Sequence, residues 1–452
     1  MKVRLYVMMF LQYFVQGCYL PVISAYLQNS MGFDAEQVGN FGSALAVGPL
    51  IAPFIIGQIV DRHVATQYVL SACHFAGGAL MLLFYFMAIG RVFPESTDLY
   101  MPILIVGALY STLYVPSLML TNSLTFHHLA DREREFPTIR LWGTIGFVVP
   151  AWLIEGYFLA GLEGDALNKA RAVILALSGI GGLVMGVYSL TLPNTPPGSE
   201  DKKDMAPRKV LKLLRLRNFL TLVLISFLIA IVHKYYFVWN SPFVEAILKT
   251  GDVSAVWVLR ISSIGQVFEV VVMAFLGFSI KRFGFKITML VGSFAYLLRC
   301  LIFAGAVTIE GMFPLALTLV CIGQALHGFC FGCFIAAAFI YTDRVAPVDV
   351  RGTMQNFYGT FVLSLGFFIG GFVSGQIGEK FTQPAPEATQ TATQETSPGV
   401  LHYRDKKTGK IMQRDWPGIW LSGAAMAGVA FLGLMALFPK NHDEQMKQEK
   451  SP

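Results

Sequence analysis

Twelve apolar stretches recur along the chain, near residues 5–27, 38–60, 67–90, 99–122, 138–160, 170–192, 218–240, 256–279, 286–307, 312–341, 353–379 and 417–438. Each approaches or exceeds the length of about 20 residues that a helix needs to cross the hydrocarbon core of a bilayer. Their apolar runs are unbroken and do not alternate with a period of two, so they predict helices and exclude a transmembrane barrel. The pattern therefore predicts an all-α membrane protein whose solvent is lipid.

Composition agrees. Of 452 residues 55% are apolar and 14% charged, and the mean hydropathy is +0.58, whereas a soluble domain carries about 25% charged residues. Lys2 and Arg4 precede a long apolar run without a small-residue cleavage site, which predicts a retained first span and not a removed signal. An even number of spans puts both termini on one face, and most Lys and Arg between spans fall on that face, so the termini are expected in the cytoplasm. The net charge of +6 is then accounted for by orientation, and no nucleic-acid partner is inferred. All six cysteines fall inside spans, where they are expected to be packing residues. His127, His128 and Asp131 lie in a charged loop without further ligands, so no metal site is expected. No Walker loop, dinucleotide fingerprint or nucleophile elbow stands in a plausible context, which argues against an enzyme and against ATP-driven transport.

The twelve spans divide into two sixes. Residues 1–192 form a first half and 218–452 a second, joined by a basic linker at 193–217 that opens Pro-Asn-Thr-Pro-Pro-Gly and carries Lys202, Lys203, Arg208, Lys209, Lys212, Arg215 and Arg217. A long polar connection at 382–416 is placed on the external face, and its Thr, Gln, Pro and Glu-rich middle predicts no fixed structure. The halves resemble one another: Gly57-Gln-Ile-Val-Asp61-Arg62 after the second span matches Gly277-Phe-Ser-Ile-Lys281-Arg282 after the eighth. Asp131-Arg132 ahead of Arg140 matches Asp343-Arg344 ahead of Arg351 at nearly the same spacing. Parallel six-helix repeats with a basic central loop resemble the major facilitator superfamily, in which substrate binds near the midplane and the two pseudo-symmetric halves rock. Gly57, Asp61 and Arg62 resemble the start of that superfamily's cytoplasmic signature, although His63-Val-Ala follows where basic residues and glycine are usual.

Ionisable residues inside spans are costly and mark candidate sites. In the fifth span Arg140, Thr144 and Phe147 share one helix face over about 10 Å, with Gly143 and Gly146 between them to let a neighbouring helix approach. The eighth span places Gln266 and Glu269 on one face, a carboxylate beside an amide suited to hydroxyls and base amides. The seventh reads His233-Lys234-Tyr235-Tyr236-Phe237-Val238-Trp239-Asn240, either a binding segment or an aromatic belt at a helix end. His327 and Phe331 lie one turn apart in the tenth among small residues. Arg260 and Arg299 are further in-span cations, and Glu269 has Lys234, Arg140 and Arg299 as possible ion-pair partners. Gln12, Gln16, Asn122 and Asn356 either bridge helices or touch substrate.

Glu135-Phe-Pro-Thr-Ile-Arg140-Leu-Trp-Gly-Thr144-Ile-Gly-Phe147 closely resembles a segment of the nucleoside:proton symporter family of the major facilitator superfamily, the bacterial nucleoside permeases. Supporting stretches are Phe10-Leu-Gln12, Leu120-Thr-Asn122-Ser, Gln266-Val-Phe-Glu269 and Arg282-Phe-Gly-Phe-Lys286. The resemblance implies import of nucleosides across the bacterial cytoplasmic (inner) membrane by alternating access, with the proton as coupling ion, no other cofactor, and a monomeric transporter. It places Arg140, Thr144, Phe147, Gln266 and Glu269 around the ligand, Phe331 against the base, and His233 and Tyr236 where better-known members carry amides. His327 fills a position often held by Tyr or His. One departure is chemical: Gly332 follows Phe331 where an Asp is expected, so Glu269 and His327 become the candidates for proton coupling. A proton-coupled sugar or oligosaccharide symporter, or a nucleoside facilitator or sensor without coupling, would use the same polar set.

Overall fold

The computed structural model describes residues 1–94, 97–197, 217–309, 311–346, 354–355, 357–385, 396–397, 400–404 and 410–439. Ten segments are long and apolar enough to cross a membrane: α1 (Lys2–Ser30), α3 (Thr66–Ala88), α4 (Tyr100–His127), α5 (Thr138–Phe158), α6 (Gly164–Ser189), α7 (Arg217–Thr250), Ala255–Val307, α10 (Phe313–Val345), α11 (Phe357–Lys380) and α12 (Trp416–Leu437). Ala35–Arg62 is a further helix of spanning length, α2. At 1.5 Å per residue, Ala255–Val307 is far too long for one crossing. It reverses at Gly284, whose φ of 77° and ψ of 172° suit a residue without a Cβ. The turn gives α8 (255–283) and α9 (285–307), closed by a Ser279 to Thr288 hydroxyl bond of 2.9 Å. Among the described residues, α1 to α12 thus correspond to the twelve apolar stretches.

Local chemistry sets the breaks. Pro21, which has no backbone N–H, interrupts α1 after Tyr19. Asp34 starts α2 through a reciprocal cap with Gln37, and Asp415 starts α12 by accepting from the Gly418 N–H at 2.9 Å. Lys2 pairs with Glu135 at 3.1 Å, and Tyr188 donates to the Arg4 carbonyl, so the starts of α1 and α5 and the end of α6 share the face that carries the N-terminus. Lys286 donates to the carbonyls of Met435 and Phe438, which places the end of α12 beside the α8–α9 turn. That face is called proximal below, and the opposite one distal.

Two expectations change. The seventh helix does not end near residue 240: α7 continues past Pro242 to Thr250, so His233 to Asn240 lie in mid-helix and not in an aromatic belt at its end. A proline is tolerated there because neighbouring helices in a membrane protein can satisfy the freed backbone groups. The connection at 382–416 is ordered at both ends. Thr382–Pro384 (β1), Thr396–Ser397 (β2), Val400–Arg404 (β3) and Ile411–Arg414 (β4) form an antiparallel sheet in the order β1-β4-β3-β2. Val400-Leu-His-Tyr and Ile411-Met carry β-formers that the bulk composition of the loop conceals; residues 386–395 lie outside the described residues. Gly57, Asp61 and Arg62 close α2 as helix, and their side chains are outside the described set. So are Asn356, Arg351 and the basic linker residues up to 216.

Candidate functional site

Arg140 and its neighbours are built by the packing of α5 on α1. Gly146 lies against the Phe10 backbone and Gly17 against that of Phe147, so the two helices touch main chain to main chain. That approach lays the Arg140 guanidinium over the Tyr13 ring, 4.2 Å from its centroid, two turns into a helix that begins at Arg132. Arg140 and Thr144 are half-buried and Phe147 is buried. From the other half, α8 packs against α5 and brings Glu269 within Coulombic reach of both Arg140 and Tyr13. Glu269 makes no ion pair among the described residues. Gln266, one turn earlier, has a buried Oε1 with no hydrogen-bond partner among them.

The second group belongs to α7, α9 and α10. Glycines set its geometry as well: Gly265 of α8 lies against His327, and Gly328 against the backbone of Phe268 and Glu269. His327 stacks on Tyr236 at 5.2 Å and on His233 at 5.6 Å between ring centroids. His233 also contacts Phe331 at 6.4 Å and Phe367 at 5.5 Å. The four aromatic candidates of α7 and α10 are thus one block, with Phe331 at the start of a π-helical turn, Cys330–Ala336; such turns recur at functional sites. A hydrogen-bonded chain runs behind the block. Tyr236 donates to Gln324 Oε1 at 2.5 Å, Gln324 Nε2 to Asn240 Oδ1 at 2.6 Å, and Asn240 Nδ2 to Ser262 Oγ at 3.0 Å.

Arg299 closes the block from α9. It is wholly buried, lies 3.8 Å from the Tyr236 centroid and 5.2 Å from that of Tyr296, and its Nη1 is 3.0 Å from His327 Nδ1. Arg299 is therefore not the ion-pair partner of Glu269. A side chain at Gly332 would begin 2.9 Å from Val272 Cγ1, so α8 and α10 are close-packed where the family's acidic residue is expected.

The halves meet on the distal side. Arg171, at the break between Gly164–Ala170 and Val173–Ser189, pairs with Glu245 of α7 at 2.9 Å and donates to the Ala255 carbonyl at 3.3 Å. Glu155, inside the π-helical turn Ile154–Phe158, accepts from the Leu259 and Arg260 N–H groups at 2.5 and 3.2 Å and pairs with Arg260 at 3.2 Å. A carboxylate of one half thereby caps the positive end of a helix of the other. Arg414 of β4 bonds Gln28 of α1 and covers Trp239 at 4.7 Å. In α2 and α11, Gly39 and Ser43 lie against Gly371 and Gly375, and Ser43 donates to the Phe368 carbonyl at 2.7 Å. These hydrogen bonds and ion pairs between the halves lie from mid-depth to the distal face. The distal side is closed.

Sequence reasoning located both groups but missed what holds them. Tyr13, Tyr296 and Gln324 carried no periodic signal, and Glu155 and Glu245 were not singled out because they fall at or beyond the ends of the expected spans. Gln12 proves to bridge helices, donating to Ser117 at 2.7 Å and bonding His74 at 2.8 Å. An open cleft of about 1000 Å³ at the distal end of the first half, edged by Asn29, Gln37, Asp98 and Asp165, contains none of the predicted residues.

Residues 1–443 match the family described as Nucleoside H+ symporter. A protein of Escherichia coli named as a nucleoside transporter, YegT, is 30% identical, with 98% of this chain and 94% of that protein covered. Nucleoside permease NupG of Escherichia coli is 24% identical over 98% of this chain and 97% of its own length. A crystal structure of nucleoside transporter NupG superposes with a TM-score of 0.77 at 21% identity, covering 97% of this chain and 99% of that one. The likeness shows the major facilitator fold.

Proposed function

The chain belongs to the nucleoside H+ symporter family, and on that premise we propose that it imports nucleosides by alternating access, with ligand bound between Arg140 and Glu269 on one side and the His233, Tyr236, His327 and Phe331 block on the other. It is a multi-pass membrane transporter and not an enzyme. The observation that carries the assignment of the site is the juxtaposition itself: α8 brings Glu269 and the unpartnered Gln266 Oε1 toward Arg140 while its glycine contacts seat His327. Ribose hydroxyls and base amides match the guanidinium, carboxylate and amide, and the base has a π-face for Phe331 or the stacked rings. Thr144 and Phe147 complete the α5 face.

Proton coupling falls to a titratable group that both halves sense. Glu269 meets that description, since it lies on the second half and Arg140 of the first acts on it; His327 is the other candidate. The closed distal face defines one end of the transport cycle, with substrate exchange on the proximal side. We place the proximal face, both termini and the 193–217 linker in the cytoplasm of a bacterium, on the strength of the Lys and Arg distribution. The halves are assigned to 1–192 and 218–452, with Gly57, Asp61 and Arg62 as part of the proximal gate. The chain acts as a monomer, because one copy supplies both halves of the site.

Uptake of radiolabelled uridine and adenosine into proteoliposomes, with and without an inward proton gradient, tests this. Gradient-driven accumulation is expected, and Glu269→Gln is expected to equilibrate nucleoside without concentrating it. Accumulation by Glu269→Gln overturns its coupling role, and failure to move either nucleoside shifts the assignment to a sugar substrate.

A further inference from the structure

Arg299 is a charge buried in a membrane helix, and no carboxylate pairs with it among the described residues. Its Nε and Nη2 lack hydrogen-bond partners there and face the rings of Tyr236 and Tyr296. Keeping such a group is costly, which directs attention to the one hydrogen bond it makes, to His327 Nδ1 at 3.0 Å. A guanidinium has five donors and no acceptor and stays charged. His327 Nδ1 must therefore be the lone-pair nitrogen, and the ring proton sits on Nε2, which no described residue accepts.

We propose that Arg299 is a positioning residue that locks His327 as its Nε2–H tautomer, so that the ring offers the nucleoside a fixed hydrogen-bond donor for a base carbonyl, ring nitrogen or ribose oxygen. The proposal rests on the assignment of His327 to the binding cavity. A second proton on His327 would set an N–H against the guanidinium N–H, so the ring is a donor and not a proton carrier, and coupling is left to Glu269. The stacking of Tyr236 and His233 on His327 fixes the ring plane while Arg299 fixes its edge. Other titratable or charged groups around the ring are Tyr296 from α9, His233, Lys234 and Tyr236 from α7, Glu269 from α8, and Cys330 one turn along α10. From α11 the block receives the apolar Phe367.

The test uses the full-length protein in lipid with ¹⁵N-labelled histidine, of which the chain has eight. Resonances lost in His327→Gln are assigned to His327. In the unaltered protein they are expected to report an unprotonated Nδ1 and protonated Nε2 throughout, between about pH 5 and 8. In Arg299→Met, where nothing holds Nδ1 as the acceptor, the two nitrogen resonances are expected to move toward those of a mixture of the two neutral tautomers, and in Arg299→Lys, which keeps a donor, to return to the fixed form. Titration of His327 in the unaltered protein, or an unchanged spectrum in Arg299→Met, overturns the proposal. Nucleoside affinity, measured in parallel, is expected to fall about tenfold in His327→Phe, which has no donor, the loss of one buried hydrogen bond, and by less in Arg299→Met, which only frees the tautomer. Unaltered affinity in His327→Phe with the spectra as expected overturns the cavity assignment alone.

Discussion

Arg171 and Glu245 meet at 2.9 Å across the boundary between the two halves, with side chains only 2% and 5% exposed. Lys249, one turn beyond on α7, adds a second cation at 3.5 Å from the same carboxylate. A pair so buried gains little over apolar packing, but removing one partner strands a charge at a cost of about 3–5 kcal/mol. That asymmetry makes it a latch: closed, both charges are satisfied; open, both need water. Together with Glu155 on the start of α8, it ties the distal ends of α5 and α6 to those of α7 and α8.

Arg171→Met and Glu245→Met are each expected to weaken distal closure and lower nucleoside uptake several-fold. The double variant is expected to recover much of the loss, since two apolar side chains pack where the ions were. A cysteine at Val258, buried in the closed protein, reports the opening through an impermeant maleimide. Equal labelling in the single variants and the parent would refute the latch.

Gly375 of α11 faces the backbone of Glu36 in α2, where a Cβ would begin 3.0 Å from the Glu36 Cα. Gly375→Leu is expected to hold the distal face apart, so that nucleoside binds but is no longer transported. Binding calorimetry beside proteoliposome uptake separates the two steps; transport at the parent rate would show that this crossing does not close.

Tyr13 was not among the residues picked out by pattern, yet its ring carries the Arg140 guanidinium. Tyr13→Leu is expected to weaken nucleoside affinity about two- to fivefold, the equivalent of the roughly 0.5–1 kcal/mol of a cation–π contact. Tyr13→Phe keeps the ring and is expected to bind as the parent does. A loss in both variants would move the effect from the ring to the hydroxyl.

The order of spans, the two halves and the chemical types at the site were legible because lipid imposes a strong rule on sequence. Every spanning segment must be apolar for about 20 residues, so an arginine or glutamate inside one stands out. Arg140, Gln266, Glu269 and His327 were found in that way. Hydropathy could not give the end of α7, because Ser241 to Lys249 mixes Pro242 and Glu245 into an apolar run whose buried charge is met by Arg171, from the other half, with Lys249 beside it. Nor could composition give the sheet beyond α11, in which β1 pairs with β4 across residues 385–410.

The sequence by itself determined that the chain is a twelve-span membrane protein, which of its polar residues lie at membrane depth, and the family it belongs to. The tertiary structure decided which charges meet. Arg299 turns to His327 and not to Glu269, and Glu155 and Glu245 bind cations supplied by the opposite half or close the start of its helix. Helical spacing fixes only which face of its own helix a side chain occupies. The partner on that face comes from helix packing, which here turns on glycine contacts between segments far apart in the chain.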